Sequence, residues 1–299
     1  MDAPPPDGPA TESATTDNPA TDNDTSAGTD APVVTEYARR AASFGAAATA
    51  YAQHRPDYPV AAIRWALEPV VLARTSPIRI LDLGAGTGKL TAQLAGLALD
   101  AGTPQVSAVE PDPQMLAELR RAVPEVAAMA GHAEAIPLPD ASIDAVFAGQ
   151  SAHWFDLDRA MPEIARVLTS GGVFAGLWNT DDDRVGWVAG LHRVTGRKNV
   201  VAFTSYRPDD SSPISTWVKG PGQGLFRSAE GAGFEHAHKR TASSLIDTMR
   251  THSMFLIMEP AEREAVLGEV AAYLVAIPDT ASGEFDFPLW TLAERTVRR

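Results

Sequence analysis

The chain has 299 residues, with 38 Asp+Glu against 25 Lys+Arg, seven His, no Cys and a formal net charge of −13. That length accommodates one large α/β domain or two small ones with a sizeable core, and a hydrophobic share of 44% excludes wholesale disorder. The lack of cysteine excludes disulfides, Cys-ligated zinc, iron–sulfur clusters and thiol nucleophiles, and the acidic balance argues against a general nucleic-acid or anionic-membrane binder.

In chain order, residues 1–35 come first. They carry Asp2, Asp7, Glu12, Asp17, Asp22, Asp24 and Asp30 and no Lys or Arg, so more than half of the net charge sits there. Thr, Ala, Pro, Asp and Asn dominate, with only Val33 and Val34 as branched aliphatics. Such a segment cannot bury enough apolar surface to offset chain entropy, so a disordered acidic tail is expected. It reads as a solubilising leader, with an acidic interaction tail as the alternative. No basic stretch followed by an apolar run is visible, and no apolar run approaches about 18 residues. The expectation is therefore a cytoplasmic protein without signal peptide or membrane span.

A domain over residues 36–299 follows. Tyr37, Phe44 and Tyr51 have helical spacing, stopped by Pro56 and Pro59. A helix is predicted over 60–74, with Ile63, Leu67, Val70 and Val71 on one side. The texture then alternates: strand 78–83, helix 90–99, strand 106–109, helix 113–123, strand 143–147, helix 160–168 and strand 173–178. Short apolar strands alternating with amphipathic helices predict right-handed βαβ units and a parallel sheet covered on both faces. Residues 181–230, rich in Gly, Pro, Ser and Asp, read as an insertion or cap beyond the core at 76–180. In 231–299, strands at 234–241 and 284–298 surround one long helical stretch at 244–277. The fold expected is an open α/β sheet with a mixed C-terminal edge.

The most informative segment is Ile80-Leu81-Asp82-Leu83-Gly84-Ala85-Gly86-Thr87-Gly88-Lys89-Leu90, a buried strand running into a glycine turn that opens a helix. Glycines there permit positive φ and close approach of a ligand, which also meets the free N–H groups of the helix start. A phosphate-cradling P-loop needs Gly where Leu83 stands and Ser or Thr where Leu90 stands. A dinucleotide fingerprint needs Gly or Ala at the position of Lys89. What remains is Asp-x-Gly-x-Gly-x-Gly with a carboxylate, Asp82, two residues before the first Gly. Glu110 ends the next strand about 22 residues further on, where a carboxylate meets the ribose of a ligand lying over the turn. Asp112 and Pro113 make an N-cap and first-turn pair for the following helix.

These residues resemble the class I S-adenosylmethionine-dependent methyltransferases. The resemblance continues through Gly131-His132-Ala133-Glu134-Ala135-Ile136-Pro137-Leu138, Ser142-Ile143-Asp144-Ala145-Val146-Phe147 and Arg166-Val167-Leu168-Thr169-Ser170-Gly171-Gly172, an order similar to the methyltransferase type 11 group. Phe44, Tyr51, Arg55-Pro56-Asp57-Tyr58-Pro59 and Gln150-Ser151-Ala152-His153-Trp154-Phe155 are similar to the trans-aconitate methyltransferase-like branch. The resemblance covers roughly residues 40–180 well and 284–291 more weakly. It implies a Rossmann-like seven-stranded, mostly parallel sheet with an antiparallel last strand, helices on both faces, and S-adenosyl-L-methionine as cofactor.

By resemblance, Gly84, Ala85 and Gly86 pack under the methionine moiety, with Gly88 completing the turn. Asp82 reaches the ligand's ammonium or fixes the turn, and Glu110 accepts both ribose hydroxyls. Pro111 and Asp112 lie beside ribose and adenine, with Met115 as packing. His132, Ala133 and Glu134 border the adenine, and Gln150 faces the sulfonium. Methyl transfer is an in-line displacement whose main demand is alignment, and a base is needed only where the acceptor must lose a proton. His153 is the candidate base, or with Trp154 a wall of the acceptor pocket. Tyr51, Arg55 and Tyr58 complete that pocket, Arg55 being the natural partner for an acidic acceptor. His236 and His238 read as a surface strand and Asp181-Asp182-Asp183 as a solvated loop, so no metal is expected. The expected activity is methylation of a small molecule at a carboxylate or hydroxyl oxygen. Nucleic-acid methylation lacks its Asp/Asn/Ser-Pro-Pro-aromatic run after the fourth strand, and a cofactor-binding sensor or scaffold stands as the alternative from another class.

Overall fold

A computed structural model describes residues 55–73, 77–100, 102–196 and 213–299. The tail at 1–35 and the helical pattern through Phe44 and Tyr51 lie outside the described residues. In chain order the elements are α1 (Val60–Val71), β1 (Arg79–Leu83), α2 (Lys89–Ala95), β2 (Gln105–Glu110), α3 (Pro113–Ala122), β3 (Ala127–Ala130), β4 (Ile143–Gly149), a 3₁₀ turn (Ala152–Trp154), α4 (Leu157–Val167), β5 (Leu168–Asp181), α5 (Gly186–Val194), α6 (Pro213–Lys219), β6 (Glu230–Arg240), α7 (Ala242–Arg250), α8 (Ser253–Leu256), α9 (Pro260–Ala276) and β7 (Phe285–Val297).

The strands form one seven-stranded sheet in the order β3-β2-β1-β4-β5-β7-β6, with β7 antiparallel to both of its neighbours and every other pair parallel. β1 and β4 are central and apolar on both faces, as a doubly covered parallel sheet requires. One apolar cluster, with Leu81, Val146, Phe174 and Ile164, covers one face. Another, with Ile63, Leu67, Ile80 and Phe147, covers the other. At the amino ends of β1 and β4 the buried Asp144 carboxylate accepts from Arg79 Nη2 (2.8 Å), Nε (3.1 Å) and backbone N (3.0 Å), tying the two strands where the chain order switches direction. The ligand cleft of such a sheet opens at the opposite, carboxyl edge.

The sequence reading differs from the fold in three places. β3, with the sequence Ala-Ala-Met-Ala, carries too little branched or aromatic character to be seen by strand propensity, and it exists because it pairs with β2. The predicted long helix at 244–277 is three helices, α7 to α9. Thr241 and Ser244 form a capping box at the first start, and Pro260 occupies the first turn of the last. The described part of 181–230, expected as an insertion or cap, joins two different apolar clusters. Its α6 buries Ile214, Trp217 and Val218 in the sheet core, with Trp217 6.1 Å from Trp178. Its α5 instead joins α7, α8, α9 and the start of β7 in a third cluster around Leu191, Met249, Phe255, Val270 and Phe287. Among the described residues no helix is long and apolar enough to cross a membrane.

Candidate functional site

At the carboxyl edge, where β1 and β4 diverge, a cavity of about 330 Å³ is lined by the glycine turn, the ends of β2, β4 and β5, the segment around Arg55–Tyr58, and residues of β6, α7 and β7. Gly84 and Gly86 have φ of +68° and +58°. A Cβ on Gly84 would stand 2.7 Å from Ser151 Cβ, so this turn needs glycine for both conformation and space. Gly84 N and Ala85 N donate to the Val109 carbonyl at 2.9 and 3.1 Å, and Gly86 N donates to Glu110 Oε2 at 2.8 Å. The other Glu110 oxygen accepts from Asp112 N at 2.9 Å. Glu110 thus clips the turn to the start of α3 while each oxygen keeps a further lone pair for a ligand. Asp112 caps α3 by accepting from Gln114 N and Met115 N at 2.8 and 2.9 Å.

Asp82 is fully buried at the end of β1, where Thr91 Oγ1 donates to its Oδ2 at 2.6 Å. Burial, with the nearby Glu110 charge adding to it, pushes the Asp82 carboxyl up to about 7, although the Thr91 bond opposes the shift. Burial also raises Glu110, against the two backbone N–H groups that favour its charged form. Two buried polar atoms lining this end, Asp82 Oδ1 and Thr87 Oγ1, have no hydrogen-bond partner among the described residues. Unsatisfied acceptors in a carboxylate-lined hollow fit a cationic ligand bearing an ammonium and a vicinal diol. Asp82, Glu110, Asp112 and Glu134 all line this end.

Among the expected cofactor residues, Asp82, Gly84, Ala85, Gly86, Glu110, Pro111, Asp112, His132, Ala133, Glu134 and Gln150 all line the cavity. Gly88 does not. It begins α2 at φ +89°, and a Cβ there would meet Leu119 at 3.1 Å, so its role is helix packing. His132 Nδ1 lies 3.0 Å from Glu134 Oε2, and Glu134 Oε1 accepts from Asp156 N at 2.7 Å, which holds the loop after β3.

On the acceptor side, Arg55, Tyr58 and Trp154 line the cavity, and Tyr51 lies outside the described residues. Tyr58 is anchored reciprocally to Gln93, its N–H donating to Oε1 at 2.9 Å and its carbonyl accepting from Nε2 at 2.7 Å. Arg55 Nη2 donates to the Thr251 carbonyl at 3.1 Å, and Lys89 Nζ pairs with Asp57 at 3.2 Å. His153 departs from expectation. It is exposed on the 3₁₀ turn and does not line the cavity, its ring 5.0 Å from that of Trp154, which does. The crowding around its ring lowers its pKa by desolvation.

The residues that sequence reasoning missed sit on the antiparallel extension. Register places Asp181, Leu289 and His236 in one row and Phe287 and His238 in the next, all on one face of β5, β7 and β6. His238 and Arg240, read from sequence as surface strand or not singled out, line the cavity, as do Asn179, Asp181 and, from α7 and its end, Thr248 and His252. His236 points to the same face and is held by Thr291 at 2.9 Å. Asp181 is held by the buried His192 of α5, Nε2 to Oδ2 2.9 Å. Asp182, its neighbour, pairs with Arg184 at 2.6 Å, which keeps that carboxyl below its usual range, so the acidic run is dispersed rather than convergent. The period-two alternation of β6 was legible, but which of its faces would be covered depended on α7, far along the chain.

The protein-family model described as a methyltransferase domain matches residues 81–176. The chain is 41% identical to an uncharacterized methyltransferase of Mycobacterium tuberculosis over 80% of this chain and 88% of that protein. It is 35% identical to an uncharacterized methyltransferase-like protein of Schizosaccharomyces pombe over 76% of this chain and 84% of the relative. Among solved structures, one assigned as a type II methyltransferase of Anaeromyxobacter dehalogenans aligns over 82% of this chain and 96% of that one, with 26% identity and a TM-score of 0.53.

Proposed function

The chain belongs to the class I S-adenosylmethionine-dependent methyltransferases, and on that premise we propose that its acceptor is a small molecule methylated at a carboxylate or hydroxyl oxygen. The observation that carries this reading is the division of the cavity. The glycine turn and the carboxylates Asp82, Glu110, Asp112 and Glu134 come from β1, β2 and the loops after β1 and β3, whereas Arg55, Asp181, His238, Arg240 and His252 come from before the core, from the antiparallel extension and from the end of α7. The whole cavity, about 330 Å³, is of small-molecule size. The guanidinium groups of Arg55 and Arg240 support an acceptor with anionic or hydroxyl character.

The bound cofactor supplies a methyl group already activated on a sulfonium. The chain's own residues then have to bind, orient and exclude water. In this proposal Asp82 takes the ammonium and Glu110 the ribose hydroxyls. Ala133 and Glu134 border the adenine, and Gln150 faces the sulfonium. Arg55 and Tyr58, fastened to Thr251 and to Gln93 of α2, line the acceptor side. An acceptor carboxylate needs no base. For a hydroxyl, Asp181 is the carboxylate that faces the acceptor end among the described residues, and its bond to His192 fixes its orientation.

The test is incubation of the chain with methyl-labelled S-adenosylmethionine and a panel of carboxylic acids, phenols and alcohols. Label is expected in a base-labile ester or an aryl or alkyl ether. Label found only on nitrogen, carbon or a macromolecule would refute the acceptor assignment.

A further inference from the structure

β6 is the last strand in the sheet order, so β7 pairs with one of its edges and no described strand pairs with the other. An open edge presents a row of N–H and C=O groups to any further strand, and soluble chains blunt it with a bulge, a proline, a short strand or a charged side chain. The first three devices are absent from β6. It runs for 11 residues, Glu230–Arg240, about twice the average strand, and contains no proline. Its register with β7 is unbroken from Glu230↔Arg295 to Arg240↔Phe285. Charge remains, and its order is selective. Glu235, Ala237 and Lys239 are exposed on one face, where Arg184 pairs with Glu235 at 2.9 Å and Asp286 with Lys239 at 3.1 Å.

Two copies of one strand that pair antiparallel about a two-fold axis set residue i against j and j against i, so the residue on the axis fixes every other pair. With Ala237 on the axis, the pairing runs from Phe234↔Arg240 to Arg240↔Phe234 and sets Glu235 opposite Lys239 twice. With Glu235 on the axis, that carboxylate meets itself, and like charges directly opposite are destabilising. With His236 on the axis, Glu235 meets Ala237 and Lys239 meets Gly233, so neither charge finds an opposite one. Charge therefore selects the Ala237 register. That register also continues the ion pairs already present: the exposed face reads Arg184 and Glu235, then Lys239 and Asp286 of the second copy, with alternating sign throughout.

We propose that the chain forms a homodimer by antiparallel pairing of β6 with β6 of a second copy, with the two-fold axis at Ala237, so that two sheets join into one. The occupant of the edge is a second copy because the charge order of β6 is complementary to itself in this register. The interface also reaches the cavity. His238 and Arg240 lie within the paired stretch, on the face opposite to Glu235 and Lys239, and both line the cavity. Directly opposite residues share a face, so Phe234 of the second copy stands beside Arg240 and its His236 beside His238. Dimerisation thus extends the β6 side of the cavity wall with side chains that one chain alone does not supply.

The experiment is sedimentation equilibrium of the full chain as wild type, Glu235→Lys, Lys239→Glu and a mixture of the two variants. Wild type is expected at twice the 31.7 kDa chain mass. Each variant alone sets like charges opposite each other at two positions, and its dimer dissociation constant is expected to rise about tenfold or more. In the mixture, opposite charges again meet at both positions, and a dimer of wild-type strength returns, a recovery that a merely structural effect of either change would not give. Both side chains are exposed, so melting temperatures should stay near that of wild type. Should a variant fail to fold, hydrogen exchange of wild type carries the test: the amides of residues 234–240 are expected to lose protection on dilution. A wild type that stays monomeric leaves the edge to another occupant and overturns the proposal. A dimer indifferent to both single changes, no recovery in the mixture, or protection of 234–240 that is independent of concentration overturns it equally.

Discussion

The two ends of the cavity are built on different principles. The end proposed for the cofactor is contributed by residues between Asp82 and Gln150, carried by β1, β2 and β4 and the turns that follow β1 and β3. Its parts are close in sequence, and each strand delivers its residue at its own carboxyl end. The acceptor end draws on Arg55, Asn179, Asp181, His238, Arg240 and Leu289, so its residues meet only because β7 threads back between β5 and β6. A site built from consecutive βα turns is fixed by spacing. One built across an antiparallel insertion is fixed by register and by which helices cover it. Cofactor chemistry is accordingly readable from a motif, whereas acceptor choice is spread over many positions.

That division can be broken most severely at the cofactor end. Gly84→Ala places a Cβ at positive φ against Ser151, and it is expected to lower stability by roughly 2–4 kcal/mol and remove measurable S-adenosylmethionine binding. Melting temperature and calorimetry check it, and a variant that binds normally would show that the turn has slack. Glu110→Ala should follow, with a cofactor Kd raised about 100-fold or more, because two charge-assisted bonds of about 1.5–3 kcal/mol each are lost together with the clip on Gly86 and Asp112. A change under threefold would remove Glu110 from the ribose assignment.

The third effect is pH-dependent and separates the ends by charge. Asp82 has its folded pKa raised to about 7, above its unfolded value near 4, so the folded ligand-free chain binds the extra proton between those limits. Its contribution to stability is therefore greatest below about pH 4. Stability is lost as pH rises toward 7, by at most about 4 kcal/mol, and Glu110, raised in the same direction, adds to the trend. Binding of a cation at Asp82 favours the charged carboxylate, so cofactor affinity should rise about tenfold from pH 6 to pH 8. Asp82→Asn should flatten both profiles. Denaturant unfolding and calorimetry across that range provide the check, and a cofactor affinity that falls with rising pH would contradict the placement.

Smaller effects are expected at the other end. Asp181→Asn should leave cofactor affinity within about twofold while changing turnover of whichever panel acceptor the labelled assay reveals. A parallel loss of cofactor affinity would mean that the two ends are not separable. Least of all, His153→Ala should leave both cofactor affinity and turnover within about threefold, since His153 does not line the cavity. A hundredfold loss would return His153 to the chemistry.

How much was legible follows the same line. Asp82, the glycine turn and Glu110 were identifiable because a βα turn brings motif residues together over a short span of chain, whatever the rest of the protein does. Gly88 belonged to the motif but not to the cavity, since the side of the turn that faces α3 is settled by Leu119 and Val123 rather than by spacing. His153 and Trp154 were adjacent and chemically plausible together, and their rings lie 5.0 Å apart, yet only Trp154 lines the cavity. His192 gave no signal at all, because its partner Asp181 lies on another element and the pair exists only once α5 has packed beside β5.

By itself the sequence determined the alternating α/β core, the central apolar strands and the acidic turn region proposed for the cofactor, because apolar periodicity and turn chemistry are local properties of the chain. The tertiary structure decided the rest. It sent the described helices α5 and α6 to two different apolar clusters, brought His236, Thr291 and Asn179 into one hydrogen-bonded run, and placed His238 and Arg240 in the cavity lining. The physical reason is that a strand's periodicity fixes which residues share a face, but only the packing of distant helices fixes which face is buried.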